Sequence, residues 1–305
     1  MKKIVVAANS FKGSVSSLEI ADSVEKGIKT VFPACEVKKI RIADGGEGTV
    51  EALVSFLNGK YRQVNVHALM RPVTAGYGII EEDTTAVLEI SSAAGLPLLK
   101  PEECNPLVTT TYGAGEMMVD ALRKGCRRLL IGIGGSATND AGIGMLSALG
   151  FRFYNEKGEE LKGGGEMLSQ IKDIDDSFMM VELTDVEIVA ACDVNNPFSV
   201  PNGAAYIYAP QKGADSRMVE LLDDGLKHFA GIIKTYKGMD VETIPGAGAA
   251  GGLGGSLAAF LGARLLPGIQ MILETIRFPE IIRDADLIIT GEGKLDMQTI
   301  MGKAP

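Results

Sequence analysis

The chain has 305 residues, 46% hydrophobic and 23% charged, and its 30 Lys and Arg against 39 Asp and Glu leave a net charge of −9. This is the composition of a folded globular chain, and its acidity disfavours non-specific binding to nucleic acid or an anionic bilayer. A small-molecule partner fits better, and an anionic one needs a local cluster of Lys, Arg or backbone N–H groups, because the global field opposes it.

The length suits two domains of ordinary size. Four separated cysteines (Cys35, Cys104, Cys126, Cys192) without a C-x-x-C pair, and two histidines (His67, His228), argue against zinc sites and a disulfide framework. The opening "MKKIVVAANS" turns polar too soon for a signal peptide, and no run of about 18 apolar residues predicts a membrane span. The expected location is the cytoplasm.

Taken in chain order, Ile4 to Ala8 reads as a buried strand, and Ser16-Ser17-Leu18-Glu19 as a capping box opening a helix with Ile20, Val24 and Ile28 on one face. A second strand near Val37 to Ala43, a Gly-rich loop and a helix ending at Asn58-Gly59 repeat that order. "YRQVNVHAL", "GYGIIEE" and "TAVLEIS" are short and alternating, with a hairpin turn at Asp83-Thr84. The helical pattern returns in "YGAGEMMVDALRKG", which ends in a basic turn and a glycine stop, before the strand "RRLLIGI". "EIVAACDVNNP" and "ADLIITGEGKLD" are again strands running into polar loops. Strand and helix alternation predicts a largely parallel α/β sheet, and the hairpin region with "GAGAAGGLGGSLAAFLGARLLPG" predicts a second, mixed lobe.

Five strands thus lead into loops dense in Gly, Asp, Asn, Ser or Lys: "NSFKGS", "DGGEGT", "GGSATND", "CDVNNP" and "TGEGKLD". In an open parallel sheet the carboxyl ends of the strands share the ligand-binding edge, so these loops are expected to converge. "GGSATND" combines glycines that allow close backbone approach, hydroxyls that suit phosphate oxygens, and a helix start whose free N–H groups attract anions. Gly134, Gly135, Ser136, Thr138 and Asn139 are therefore candidates for binding nucleotide phosphates. "GEGKLD" adds Lys294 between two carboxylates, Glu292 and Asp296, a mixture suited to Mg²⁺ and phosphate. Lys12, at a strand's carboxyl edge, suits a substrate carboxylate or a transferring phosphoryl group, and Asp44 and Asp193 suit a metal or an alcohol to be activated.

Two rivals arise from the same residues. Gly132-Ile133-Gly134-Gly135-Ser136-Ala137 satisfies G-x-G-x-x-[GA] after a strand, with Glu156 placed as a ribose-binding acid, which would make the chain an NAD(P)-dependent oxidoreductase of a small hydroxy acid. A non-catalytic sugar-acid sensor is the other. No G-x(4)-G-K-[ST] occurs, which excludes a P-loop kinase. His67 and His228 have no partner pattern and read as structural or solvated, and Met117-Met118 and Met179-Met180 as packing residues.

With these loops in view, the chain closely resembles the bacterial glycerate kinase family of type 1. The resemblance rests on "NSFKGS", "ADGGEGT", "EISSAAGLPLL", "TTTYGAGE", "GIGGSATNDAGIGML", "CDVNNPFSVPNGAAYIYAPQKGA", "GAGAAGGLGG" and "ADLIITGEGKLDMQTIMGKAP", which span almost the whole chain. It implies transfer of phosphate from ATP, with Mg²⁺, to a hydroxyl of D-glycerate, the usual bacterial product being 2-phosphoglycerate. It also implies a flavodoxin-like doubly wound parallel lobe (1–62 and 275–305) with an inserted mixed α/β lobe (63–274) and the active site between them. On the matching motifs the expected roles are Lys12, Asp193 and Lys294 in catalysis; Ser10, Ser14, Asp44 and Asn196 on the substrate; residues 134–136 with Thr138 and Asn139 on the nucleotide; and Glu292 and Asp296 on the metal. A homodimer is left open, with no nucleic-acid partner expected.

Two departures stand out. Asn9 replaces the Asp common in the family's opening motif, and the family usually continues beyond "GKAP", where this chain stops at Pro305. A first lobe lacking its last strands would expose an apolar edge. The 305-residue chain alone is therefore expected to be unstable or inactive, which comparing its melting and turnover with those of a chain extended by the downstream codons tests.

Overall fold

The computed structural model describes residues 1–11, 14–42, 46, 48–68 and 71–293. β1 (Lys3–Ala8), α1 (Ser17–Val31) and β2 (Glu36–Arg41) form a parallel strand-helix-strand unit. Its helix starts at the expected capping box, with Ser16 Oγ accepting from Glu19 N–H and the Glu19 carboxylate accepting from Ser16 N–H at 2.9 Å. α2 (Thr49–Phe56) follows, and the chain leaves it through Asn58 in the left-handed region.

β3 (Lys60–Ala68) and β4 (Arg71–Ile80) pair antiparallel, and β4 turns at residues 81–84 into antiparallel β5 (Thr85–Glu89). Next come α3 (Ser91–Ala94), α4 (Tyr112–Arg123), β6 (Arg128–Gly132) and α5 (Ile143–Ala148). A small antiparallel sheet of β7 (Arg152–Tyr154), β8 (Glu160–Leu161) and β9 (Asp173–Asp175) precedes β10 (Glu187–Ala191). The chain continues through α6 (Ala204–Tyr208), α7 (Ser216–Lys237), α8 (Ala249–Leu261) and β11 (Arg264–Leu266). It closes with α9 (Gly268–Thr275), α10 (Phe278–Ile282) and β12 (Leu287–Gly291).

β12, β1 and β2 make a parallel three-stranded sheet in that order, and β11-β10-β6-β5-β4-β3 a six-stranded one, parallel from β11 to β5 and antiparallel beyond. The chain is thus an α/β protein with a parallel and a mixed sheet. The strands explain the layering through their period of two. Ile4 and Val6 of β1 face α1, whereas Val5 and Ala7 face α2 and α9. On the six-stranded sheet Val87, Leu130 and Val189 face those same two helices, while Leu88, Leu129, Ile131 and Ile188 join the large core with α4, α5, α7 and α8. Strands buried on both faces read as continuous apolar runs, as β1 and β6 do. The result is a stack in which α2 and α9 form a layer shared by the two sheets.

Candidate active site

The carboxyl ends of β6 and β10, with the end of β2, surround a cavity of about 450 Å³. Its wall includes Gly46 from the loop after β2, Gly134, Gly135 and Ser136 after β6, Cys192 and Asp193 after β10, and Tyr208 and Lys212 from the α6 region. The loops after β2 and β6 come close: a Cβ on Gly134 would sit 3.6 Å from Gly46 Cα. The loops after β1 and β12 meet each other where Asn9 N–H bonds to Gly291 O at 2.9 Å.

The turn at Gly134 and Gly135 is held rather than loose. Gly135, at φ 74°, lies against Ser91, its carbonyl accepts from Leu96 N–H at 3.0 Å, and Ala137 N–H bonds to Ala94 O at 2.8 Å. Behind it, Asp140 is fully buried. Its carboxylate accepts from Thr111 N–H at 2.8 Å, Thr111 Oγ1 at 2.9 Å, Gly142 N–H at 3.1 Å and Gly144 N–H at 3.3 Å. Burial pushes the Asp140 carboxyl up from its ordinary value, and these bonds pull it back. The expectation that free N–H groups at the helix start after β6 attract phosphate is corrected here. Asp140 and Thr111, whose Oγ1 accepts Met145 N–H at 2.9 Å, fill donors at the start of α5 from within the fold.

Lys212, absent from the sequence-derived site, is 2% exposed and lines the cavity. Its Nζ donates to Ser136 Oγ at 3.0 Å and to Thr138 O at 2.6 Å. Desolvation lowers its pKa to about 7 against the upward pull of Asp140. The signal was in the text as "APQKGA": Gly213, at φ 95°, ends the short turn after α6, and a Cβ there would lie 2.3 Å from Cys104 O. Only the fold reveals that this turn lies beneath Ser136.

Asp193 is in the wall, and its Oδ1 accepts from Gly268 N–H at 2.8 Å, at the start of α9. Asn196 is committed within the fold, its amide donating to Asn202 O at 2.8 Å and accepting from Tyr208 OH at 2.6 Å, so it positions a wall residue. Thr138 and Asn139 are fully buried beneath the turn and lie apart from the described cavity wall, which Gly134, Gly135 and Ser136 help to form. Thr138 Oγ1 and the Asn139 amide have no hydrogen-bond partner among the described residues. Ser10 and Ser14 lie in the loop after β1 and Glu292 just after β12, apart from the described cavity wall. Lys12, Asp44, Lys294 and Asp296 lie outside the described residues.

The oxidoreductase rival fails on local structure. A dinucleotide fingerprint opens a helix directly, but here residues 137–142 are non-helical and α5 begins only at Ile143. Glu156 stands on an exposed turn of the small antiparallel sheet. Among the described residues no helix is long and apolar enough to cross a membrane, and no group of three His, Cys, Asp or Glu is placed to hold a metal.

A glycine turn, a buried lysine and a carboxylate thus surround one cavity at the carboxyl edge of an α/β sheet, the edge where such sheets bind ligands. Comparison with known proteins specifies the class. The model of the glycerate kinase family matches residues 4–305. A glycerate kinase of Bacillus subtilis is 47% identical over 304 residues, covering 99% of this chain and 80% of that protein. A glycerate 2-kinase of Escherichia coli K12 is 45% identical with the same coverage. A solved structure assigned as glycerate kinase 2, from Salmonella typhimurium LT2, superposes with a TM-score of 0.94 at 42% identity, over 100% of this chain and 82% of that one. The chain belongs to the glycerate kinase family and is a kinase.

Proposed function

We propose that this protein transfers the γ-phosphoryl group of ATP to the 2-hydroxyl of D-glycerate, giving 2-phosphoglycerate and ADP. The observation that carries the reading is the cavity in which the turn at Gly134, Gly135 and Ser136 faces Asp193 across the carboxyl edge of β6 and β10. Phosphoryl transfer asks for position and electrostatics more than covalent chemistry, which suits a site without a His or Cys array. The glycine turn lets phosphate oxygens approach backbone N–H groups closely. In this reading Asp193 accepts the proton of the attacking hydroxyl, and the hydrogen bond that its Oδ1 accepts from Gly268 N–H supports a fixed orientation for it. Lys12 and Lys294 are proposed to offset the charge of the transferring group.

Mg²⁺ shared with phosphate needs only one or two protein carboxylates. Glu292, at the carboxyl end of β12, and Asp296 are the residues proposed to hold it. When bound, the ion would neutralise charge on the phosphates.

The test is a coupled ADP-release assay across D-glycerate, tartronate and related hydroxy acids. ADP release that depends on D-glycerate is the expected result. Binding of D-glycerate without ATP consumption would support a sensor instead.

A further inference from the structure

Lys212 is an ionisable amine that the fold buries at some cost, and no sequence motif assigned it a role. An ammonium has three N–H donors, and two of these are directed to Ser136 Oγ and Thr138 O. The third has no partner among the described residues, although the residue forms part of the cavity wall. Burying such a group is expensive unless a partner compensates it. Asp140, from the loop after β6, is a nearby countercharge, but its carboxylate is already satisfied by Thr111 and the amides of Gly142 and Gly144. The other ionisable groups in the described wall are Cys192 and Asp193 at the end of β10 and Tyr208 of α6. Tyr208 OH is spent on Asn196, Cys192 Sγ donates to Val194 O at 3.2 Å, and burial raises the pKa of both groups, so both stay neutral near pH 7.

We infer that Lys212 is the anion seat of this cavity and that it takes up a proton from solvent when the anionic oxygens of a ligand, carboxylate or phosphate, settle against the Ser136 turn. This rests on the reading of the cavity as the phosphoryl-transfer site. The ligand-free lysine is only partly charged near neutral pH, since its pKa lies at about 7. An arriving anion favours the charged form, so the pKa rises in the complex and binding becomes linked to protonation. Apparent affinity should then fall by up to about tenfold per pH unit above pH 7, until the pKa of the complex is reached.

The experiment is isothermal titration calorimetry of the protein with D-glycerate alone and with ATP alone, in Hepes and in Tris at pH 8, together with Lys212→Met and Lys212→Arg. In the wild type the binding heat of at least one ligand should differ between buffers by the uptake of nearly one proton, about 0.9 for a pKa near 7. The ligand that shows uptake identifies the source of the anion: D-glycerate a carboxylate, ATP a phosphate. Lys212→Met should abolish the uptake and weaken that ligand about 10- to 100-fold, and Lys212→Arg should retain binding without pH dependence. Equal heats in both buffers for both ligands would overturn the inference, on wild-type protein and whatever the variants do. ADP release measured in parallel separates the two readings: turnover without proton uptake removes the anion seat and keeps the kinase, whereas uptake without turnover does the reverse.

Discussion

In the proposed reaction Asp193 is the oriented proton acceptor of the cavity and Lys212 its buried donor. Asp193→Asn keeps the shape of the side chain and its hydrogen bond from Gly268 N–H, but loses the proposed proton acceptor. We expect turnover to fall about 10²- to 10³-fold with the melting temperature unchanged, read by the ADP-release assay beside a thermal scan. Lys12→Ala should lower turnover by the same order. Lys212 also leaves a mark on stability. Its folded-state pKa of about 7 lies below the ordinary 10.5, so between these values the unfolded chain binds a proton that the folded chain lacks, and stability rises with pH through that window. The unfolding free energy of the wild type minus that of Lys212→Met should therefore grow from pH 7 to pH 9.5 in urea melts. A difference that shrinks would contradict the burial of this lysine. Neither its depth nor its partners could be read from the sequence, because Ser136 and Thr138 lie more than 70 residues away.

The elements that position these side chains were legible to unequal degrees. β1, β6 and β10 announce themselves as apolar runs, and α1 by its capping box, because those signals are local and agree with the tertiary packing. The alternating hairpin of β3 and β4 and its turn into β5 were equally readable. The start of α5 was misread, since a polar loop before a helix looks the same whether its amides await a ligand or are capped by a buried Asp140. The beginning of α8 was likewise hidden: Ala250, Gly251 and Gly252 adopt left-handed angles, and a Cβ on Gly251 would come within 2.2 Å of Thr138 O. Two glycine substitutions test this layer. Gly251→Ala should destabilise by at least about 1–3 kcal/mol through strain, read in urea, because Thr138 backbone cannot yield. Gly213→Ala should also lower ADP release, since the turn that carries Lys212 must move away from Cys104 O.

At the scale of the molecule, the two sheets share a layer. Leu53 and Val54 of α2, with Ile269, Met271 and Ile272 of α9, pack with Val5 and Ala7 on one side and with Val87, Leu130 and Val189 on the other. Helices that serve both sheets couple their stabilities, so calorimetric unfolding should show one transition, and Leu53→Ala should lower it as a unit by about 2–5 kcal/mol. Two separated transitions, only one of them shifted, would show that the sheets unfold independently. This arrangement also brings Gly46, which follows β2 of the smaller sheet, against Gly134, which follows β6 of the larger. The sequence predicted loops converging on one edge, and three of its five polar loops do so in the described cavity wall.

Phosphorus NMR of the reaction mixture tests the central claim most directly. With ATP, Mg²⁺ and D-glycerate, the account predicts that the γ-phosphate resonance is replaced by a phosphomonoester signal split into a doublet by the single proton on C2. A triplet from a CH₂ neighbour, or loss of the γ-phosphate signal without any new ester, would contradict it.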